Sequence, residues 1–295
     1  MKQSCRIVSV IGMLVMLLRY SGSAPLNEVA EVDTSDLLDD LLLDDMILPV
    51  LRNGALDPAL RWPNATVFYK IADYYSESHV ANIKLAMSIL EEVSCVRFYE
   101  ANATTKAYLN IVSVITGCNS MVGYSGGIQR LNLGKDQAHC SKPLIIIHEL
   151  LHALGFYHEH MATDRDDYIV VNWENIIPGK EQFFRKLDNE TVTDFGVGYD
   201  YESIMHYGRR GFSANRKPTI TPLDPAANIG QRDYLSMKDI AKLNAMYNCT
   251  EEQELEGSTD EEEVNEGSTG VEMGKGEAIE GSGFEYDVVI DTRSL

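Results

Sequence analysis

The sequence predicts an α+β protein, on three observations. Short runs with strand-like alternation lie before residue 135, two helical patterns fall within residues 79–155, and the stretch from there to Cys249 is rich in loop residues with only brief helical patterning. In chain order, residues 65–72 (ATVFYKIA) alternate well enough for a strand. Residues 79–94 (HVANIKLAMSILEEVS) put Val80, Ile83, Met87 and Leu90 on one face and read as an amphipathic helix. VRFYEA (96–101), AYLNIVSV (107–114) and GGIQRLNLG (126–134) read as further strands, the last with glycines at its start. SKPLIIIHELLHALG (141–155) is apolar nearly all round, so as a helix it must be buried; Ser141 is its expected cap, and Pro143 is tolerated in the first turn. Ile145, Ile146 and Ile147 by propensity suit a strand, so the helix reading leans on the histidine spacing that follows. A short helix near EQFFRKL (181–187) and a last one, SMKDIAKLNAMY (236–247), complete the order.

HELLHALGFYHEH, residues 148–160, carries four histidines and two glutamates. A single histidine on an apolar helix is usually a satisfied core residue. His148 and His152, however, are one helical turn apart, so both rings leave the same face and can reach one ion. Glu149 sits one residue round, placed to hold a water rather than to act as a ligand. Gly155 supplies the left-handed turn that ends the helix and lets His158 swing back, which completes H-E-x-x-H-x-x-G-x-x-H. The five-residue core arises by accident in roughly one chain in a hundred of this length; the added glycine and histidine make coincidence about a thousandfold rarer. The pattern therefore predicts one zinc ion per subunit, held by His148, His152 and His158, with His160 outside the coordination shell.

The chain has 295 residues. Lys2 and Arg6, an apolar run over 7–18 and small residues near Ser23 and Ala24 mark residues 1–24 as a secretory signal peptide, too short to span a bilayer. No other apolar run is long enough to cross one, so a secreted, extracellular protein without membrane attachment is expected. The net charge of -20 is unevenly spread: residues 25–52 hold eight acids and one base, and residues 250–295 fifteen acids and two bases. That leaves nineteen bases against twenty-two acids for residues 53–249, so the acidity belongs to the appendages and nothing points to nucleic acid. After the signal peptide takes Cys5, the even number remaining, Cys95, Cys118, Cys140 and Cys249, reads as two disulfides with three possible connectivities. Asn64, Asn102, Asn189 and Asn248 each open an N-glycosylation sequon. Residues 250–295 repeat EGST amid acids and few large apolar groups, a composition too polar to offset its chain entropy.

From about Asn53 to Cys249 the sequence resembles the astacin family of secreted metzincin endopeptidases. HELLHALGFYHE, with Glu159 directly after the third histidine, and SIMHY at 203–207 are the most specific features; RWP at 61–63, GYSGG, DRDDY and NWENI agree with them. The resemblance implies a twisted, mostly parallel sheet with an antiparallel edge strand, two long helices in an N-terminal subdomain, a loop-rich C-terminal subdomain and a cleft between them. It implies His148, His152 and His158 as zinc ligands, Glu149 as general base, Met205 in the turn beneath the metal, and Tyr207 as an additional ligand that moves aside to donate to the oxyanion. It pairs Cys95 with Cys249 and Cys118 with Cys140. The expected activity is hydrolysis of peptide bonds in extracellular proteins or peptides by a monomeric zinc metalloendopeptidase. Substrate is expected to add as an antiparallel strand along GGIQRLNLG, and Arg209, Arg210 and Arg216 are candidates to favour acidic residues after the scissile bond.

The resemblance also implies latency. Residues 25–52 are the expected propeptide, 53–249 the catalytic domain and 250–295 an acidic tail. Family propeptides offer an aspartate to the metal within F-x-G-D; LLDDMIL at 42–48 makes Asp45 the counterpart, with Asp44 competing, because Leu42 and Asp44 stand where Phe and Gly are usual. Cleavage after Arg52 by a trypsin-like activator gives Asn53 as the new terminus, expected to insert and meet Glu159. His160 and Ala162 depart from the Gln and Arg common in the family. The competing reading is a catalytically impaired binding protein of the same fold that acts through its acidic tail.

Overall fold

The computed structural model describes residues 46–47 and 57–250. The expected signal peptide, most of the expected propeptide with Asp45, Arg52 and Asn53, and the acidic tail from residue 251 lie outside the described residues.

A six-stranded sheet forms the first half: β1 (Met46–Ile47), β2 (Thr66–Ile71), β3 (Arg97–Glu100), β4 (Tyr108–Val112), β5 (Cys118–Met121) and β6 (Ile128–Leu133), in the order β1-β5-β6-β4-β2-β3. Helix α1 (Glu77–Glu92) follows β2, and α2 (Pro143–Leu154) follows β6. The pairs β2/β3, β2/β4 and β4/β6 are parallel, β5/β6 is antiparallel, and β1 runs parallel to β5. This is the mostly parallel sheet with an antiparallel strand and two long helices that the family resemblance implies. The second half is mostly turns and short 3-10 segments around a two-stranded antiparallel ribbon, β7 (Ile169–Val171) with β8 (Ile220–Pro222), and closes with α3 (Met237–Tyr247).

Burial explains the arrangement. Helix α1 turns Ile83, Met87 and Leu90 inward, with Val80 half-buried at the margin, and Ser76 caps it by accepting from the His79 N–H. Every residue from Ile145 to Leu154 of α2 is buried, because one face meets α1 and another meets β5 and β6. Each large side chain withdrawn from water there contributes about 1.5–3 kcal/mol, which outweighs the strand preference of three consecutive isoleucines. Trp62 anchors the entering chain by donating its indole N–H to the Ala153 carbonyl at 2.9 Å.

Two expectations need correcting, and one strand was missed. Ser141 does not cap α2: its hydroxyl donates to the Ala138 carbonyl within a 3-10 turn, and Lys142 holds the N-cap position without a side-chain bond. β5 was not legible as a strand, since CNSM lacks alternating hydrophobicity, being buried throughout its first three residues. GGIQRLNLG is not the outer strand on which a substrate would add: β6 pairs with β4 along Ile128–Asn132 and with β5 over Leu131–Leu133, so the outer edge belongs to β5 and is occupied by Met46 and Ile47, opposite Ser120 and Met121.

Candidate metal centre and active site

Helix α2 carries the first two histidines into the interior between two cores. The larger core joins the sheet, α1 and α2; the smaller gathers Ile169, Phe184, Tyr199, Tyr207, Phe212 and Ile220 in the second half. Gly155 ends α2 with φ of 115°, a conformation that side-chain-bearing residues avoid, and its N–H returns to the His152 and Leu151 carbonyls. Three residues later His158 arrives opposite the helix.

The three rings meet there. His158 Nε2 lies 3.2 Å from His152 Nε2 and 3.4 Å from His148 Nε2, and all three side chains are buried. His148 Nδ1 donates to the Ile204 carbonyl at 2.8 Å, and His152 Nδ1 donates to the Phe156 carbonyl at 2.7 Å. A carbonyl only accepts, so those two nitrogens carry the protons and both Nε2 lone pairs face the centre. Zn–N bonds of about 2.0–2.1 Å in a tetrahedral shell set neighbouring ligand nitrogens about 3.3–3.4 Å apart. The observed spacing fits that ion, which would take up the two inward-facing lone pairs of His148 and His152 at once.

The other residues singled out in the sequence lie as follows. Glu149 is fully buried on α2 beside His148. Tyr207 packs its ring on His158, with centroids 4.4 Å apart, and on His160 at 4.1 Å. Met205 is buried in the main core, and its carbonyl accepts from the Glu159 N–H at 3.0 Å. His160 points away from the centre, as its position predicts, and shares a hydrogen bond with the Phe183 carbonyl through Nε2 at 2.9 Å. Burial, reinforced by His158 and His206, pushes its pKa well below the ordinary histidine value. His206 is likewise held neutral, its pKa lowered to about 3 mainly by burial. The disulfides are Cys95–Cys249 and Cys118–Cys140. The second ties β5 to the turn before α2, so His139 beside it belongs to a disulfide surround rather than to a metal site. Asn64, Asn102, Asn189 and Asn248 are all exposed. Arg209 donates to the Ala227 carbonyl and Arg210 to the Arg216 carbonyl, so backbone contacts engage two of the three arginines.

Helix α3 supplies residues that sequence reasoning missed. Ser236 and Asp239 form a capping box at its start. Asp239 also accepts from the Ser203 hydroxyl at 2.6 Å and the Ile204 N–H at 2.9 Å, thereby fixing the turn whose carbonyl orients His148. One turn on, Lys242 Nζ lies 2.7 Å from Glu159 Oε1, which also accepts the Asp200 N–H at 2.8 Å. Burial, the largest influence, pushes the Glu159 carboxyl up to about 7 against the opposing pull of Lys242. The S-x-x-D box was readable in the sequence as a helix start; that its aspartate also braces a turn over thirty residues away was not.

Residues 55–248 match the family model Astacin, a peptidase family. Seminal metalloprotease 1 of Drosophila melanogaster is 46% identical over 211 residues, covering 67% of this chain and 82% of that protein. Low choriolytic enzyme of Oryzias latipes is 41% identical over 223 residues, covering 72% of this chain and 79% of its own length. Among solved structures, high choriolytic enzyme 1, a hatching enzyme zinc-protease from the same fish, aligns with a TM-score of 0.59 at 41% identity, over 64% of this chain and 94% of that one. A family match over well more than half of the chain, on a histidine triangle of zinc dimensions, leads to one conclusion: this chain belongs to the astacin family and is a zinc metalloendopeptidase.

Proposed function

We propose that the chain is secreted as a zymogen and hydrolyses peptide bonds in extracellular proteins, with His148, His152 and His158 holding zinc and Glu149 as general base. The observation that carries this reading is the triangle of Nε2 atoms, with two of its rings locked by carbonyls so that their lone pairs face inward. Zinc, when bound, polarises the scissile carbonyl and brings the pKa of a water near 7. Glu149 takes the proton from the attacking water and delivers it to the leaving amine. Tyr207 donates its hydroxyl proton in a hydrogen bond to the developing oxyanion, in a site dry enough to strengthen that bond.

Latency has its support in β1. Met46 and Ile47 pair with Ser120 and Met121 along the outer edge of β5, the edge an incoming peptide strand needs. Residues 1–24 then serve as signal peptide, 25–52 as propeptide with Asp45 directed to the metal, 53–249 as catalytic domain and 250–295 as acidic tail. A trypsin-like activator cutting after Arg52 removes the covering strand. No helix among the described residues is long and apolar enough to cross a membrane. The exposed asparagines of the four sequons are open to glycosylation in the secretory route.

The test is direct. The form cleaved after Arg52 should degrade casein, stop when a chelator removes the metal and recover with zinc. Glu149→Ala should keep its zinc while losing at least about a thousandfold in kcat, the scale at which general-base loss combines with a misplaced water. Cleavage by Glu149→Ala at the parent rate would overturn the assignment.

A further inference from the structure

Asn119 keeps a polar atom out of water without a partner. The residue sits on β5, 4% exposed with β1 in place, and among the described residues its amide oxygen accepts no hydrogen bond. Buried polar atoms are paired in the great majority of cases, so this oxygen asks for a donor from outside. Strand alternation fixes the face it occupies. Cys118 is bonded to Cys140 just before α2, so Asn119, one residue on, lies on the sheet face turned away from that helix. Its cross-strand neighbour on that face is Asn132 of β6. The Asn132 amide oxygen accepts from the Val114 and Ile115 N–H groups at 2.8 and 3.2 Å, and its amide nitrogen donates to the Ile115 and Gly117 carbonyls at 3.1 and 2.7 Å. The Ser113 N–H is held by the Tyr74 hydroxyl at 2.7 Å. The loop at 113–117 is therefore pinned over this end of the sheet, and it presents Val114 and Ile115 to solvent, 58% and 47% exposed.

On the zinc-endopeptidase reading above, with substrate added antiparallel to β5, we propose that Asn119 and the loop at 113–117 form a specificity subsite on the C-terminal side of the scissile bond, for a side chain that donates a hydrogen bond without carrying charge: Ser, Thr, Asn or Gln. The direction follows from two ties between β5 and α2. The disulfide joins the start of β5 to the turn before α2, and just past the end of β5 the Gly123 N–H donates to the His152 carbonyl at 2.9 Å. The strand thus runs alongside the helix, with its Gly123 end level with the histidines. An antiparallel substrate passes the metal near that end and continues toward Cys118 with the residues that follow the scissile bond. Asn119 lies four residues back from Gly123, about 13 Å at strand spacing, so it meets a residue shortly after that bond. An uncharged donor satisfies the amide oxygen and sets its carbon atoms against Val114 and Ile115. A methyl group in its place displaces water and leaves the oxygen unpaired. A charged side chain would give up its hydration with only a neutral amide to replace it. Because Asn132 holds the loop rigid, little ordering is left for the substrate to impose.

The experiment uses the full-length chain cleaved after Arg52 and quenched-fluorescent peptides that carry Thr or Val in turn at each position after the scissile bond, with Asn and Leu as a second matched pair. At one position the parent should favour Thr over Val and Asn over Leu by at least about tenfold in kcat/KM, the scale set by leaving a buried acceptor unpaired. In Asn119→Leu both ratios should fall to about one or invert at that position and stay parental at the others. The same peptides are ranked by their affinity for the Glu149→Ala protein, where recognition is read without turnover and Thr should again outrank Val. Ratios near one at every position in the parent would overturn the proposal, as would a parental preference that survives in Asn119→Leu. The parent measurement does not depend on Asn119→Leu folding. Peptides that bind in the expected order but are never cleaved would support the subsite and sink the endopeptidase reading instead.

Discussion

His160 shows how one residue can be part of the site without touching the metal. Its ring is sandwiched near Tyr207 and Phe184, its Nε2 is tied to the Phe183 carbonyl, and burial keeps it neutral in the fold. The unfolded chain takes up that proton near pH 6.5, so the native state binds fewer protons below this value and stability falls as pH drops, by up to about 1.4 kcal/mol per pH unit for one histidine. His206, lowered to about 3, adds a second such contribution over the window from 6.5 down to about 3. His160→Gln should therefore lose stability more slowly than the parent between pH 6.5 and 5, by about one proton's slope, in urea unfolding followed across that range. Parallel curves for the two proteins would refute the neutral assignment. That His160 stays out of the metal shell was legible from its offset to His158; that its ring supports Tyr207 was not, because the two are brought together by chain 47 residues apart in sequence.

Among the elements, α2 was the most legible and α3 the most consequential. The glycine three residues before His158 marks the end of α2, and the structure puts it in the left-handed region. Gly155→Ala should cost about 1–2 kcal/mol, the penalty for a β-carbon at such a position, seen as a lowered urea midpoint together with weaker zinc binding, because His158 enters through that turn. At the start of α3, Ser236 accepts from the Asp239 N–H and donates to Asp200. Ser236→Ala should destabilise by about 1–2 kcal/mol, at the upper end for a cap since a buried carboxylate also loses its donor, measured in the same way. The strand β5 escaped the sequence reading because period-2 alternation appears only when one face is wet. Cys118, Asn119 and Ser120 are all buried, so the signal that marks an exposed strand is missing.

At the scale of the molecule, the disulfides bind regions that the sheet and helices leave to separate. Cys95–Cys249 closes a separation of 154 residues and Cys118–Cys140 one of 22. Loop-closure entropy assigns about 5 kcal/mol to the first and about 3 kcal/mol to the second. Replacing Cys95 and Cys249 by serine should lower the unfolding midpoint more than replacing Cys118 and Cys140. The second change should raise KM more, since it frees β5, the strand whose edge a substrate would use. Equal KM values in the two double variants would count against β5 as that edge. Pairing at this scale was open to the residues alone, with three connectivities, and followed in advance only from the family resemblance.

The amino-acid order by itself determined which groups could gather round one ion: His148, His152 and His158, at offsets tied to one helical turn and one glycine turn, because those offsets act locally. Among the described residues it also determined four of the eight strands, β2, β3, β4 and β6, and the three α-helices, α1 and α3 from short-range periodicity and α2 from the histidine spacing. Only the tertiary structure decided which strand lies at the edge, which carbonyls orient His148 and His152, and that Lys242 and Asp239 reach back from α3 to Glu159 and to the turn at 203–204. Those contacts join residues far apart in the chain, and their selection depends on packing two cores against one buried helix, a condition with no periodic trace along the sequence.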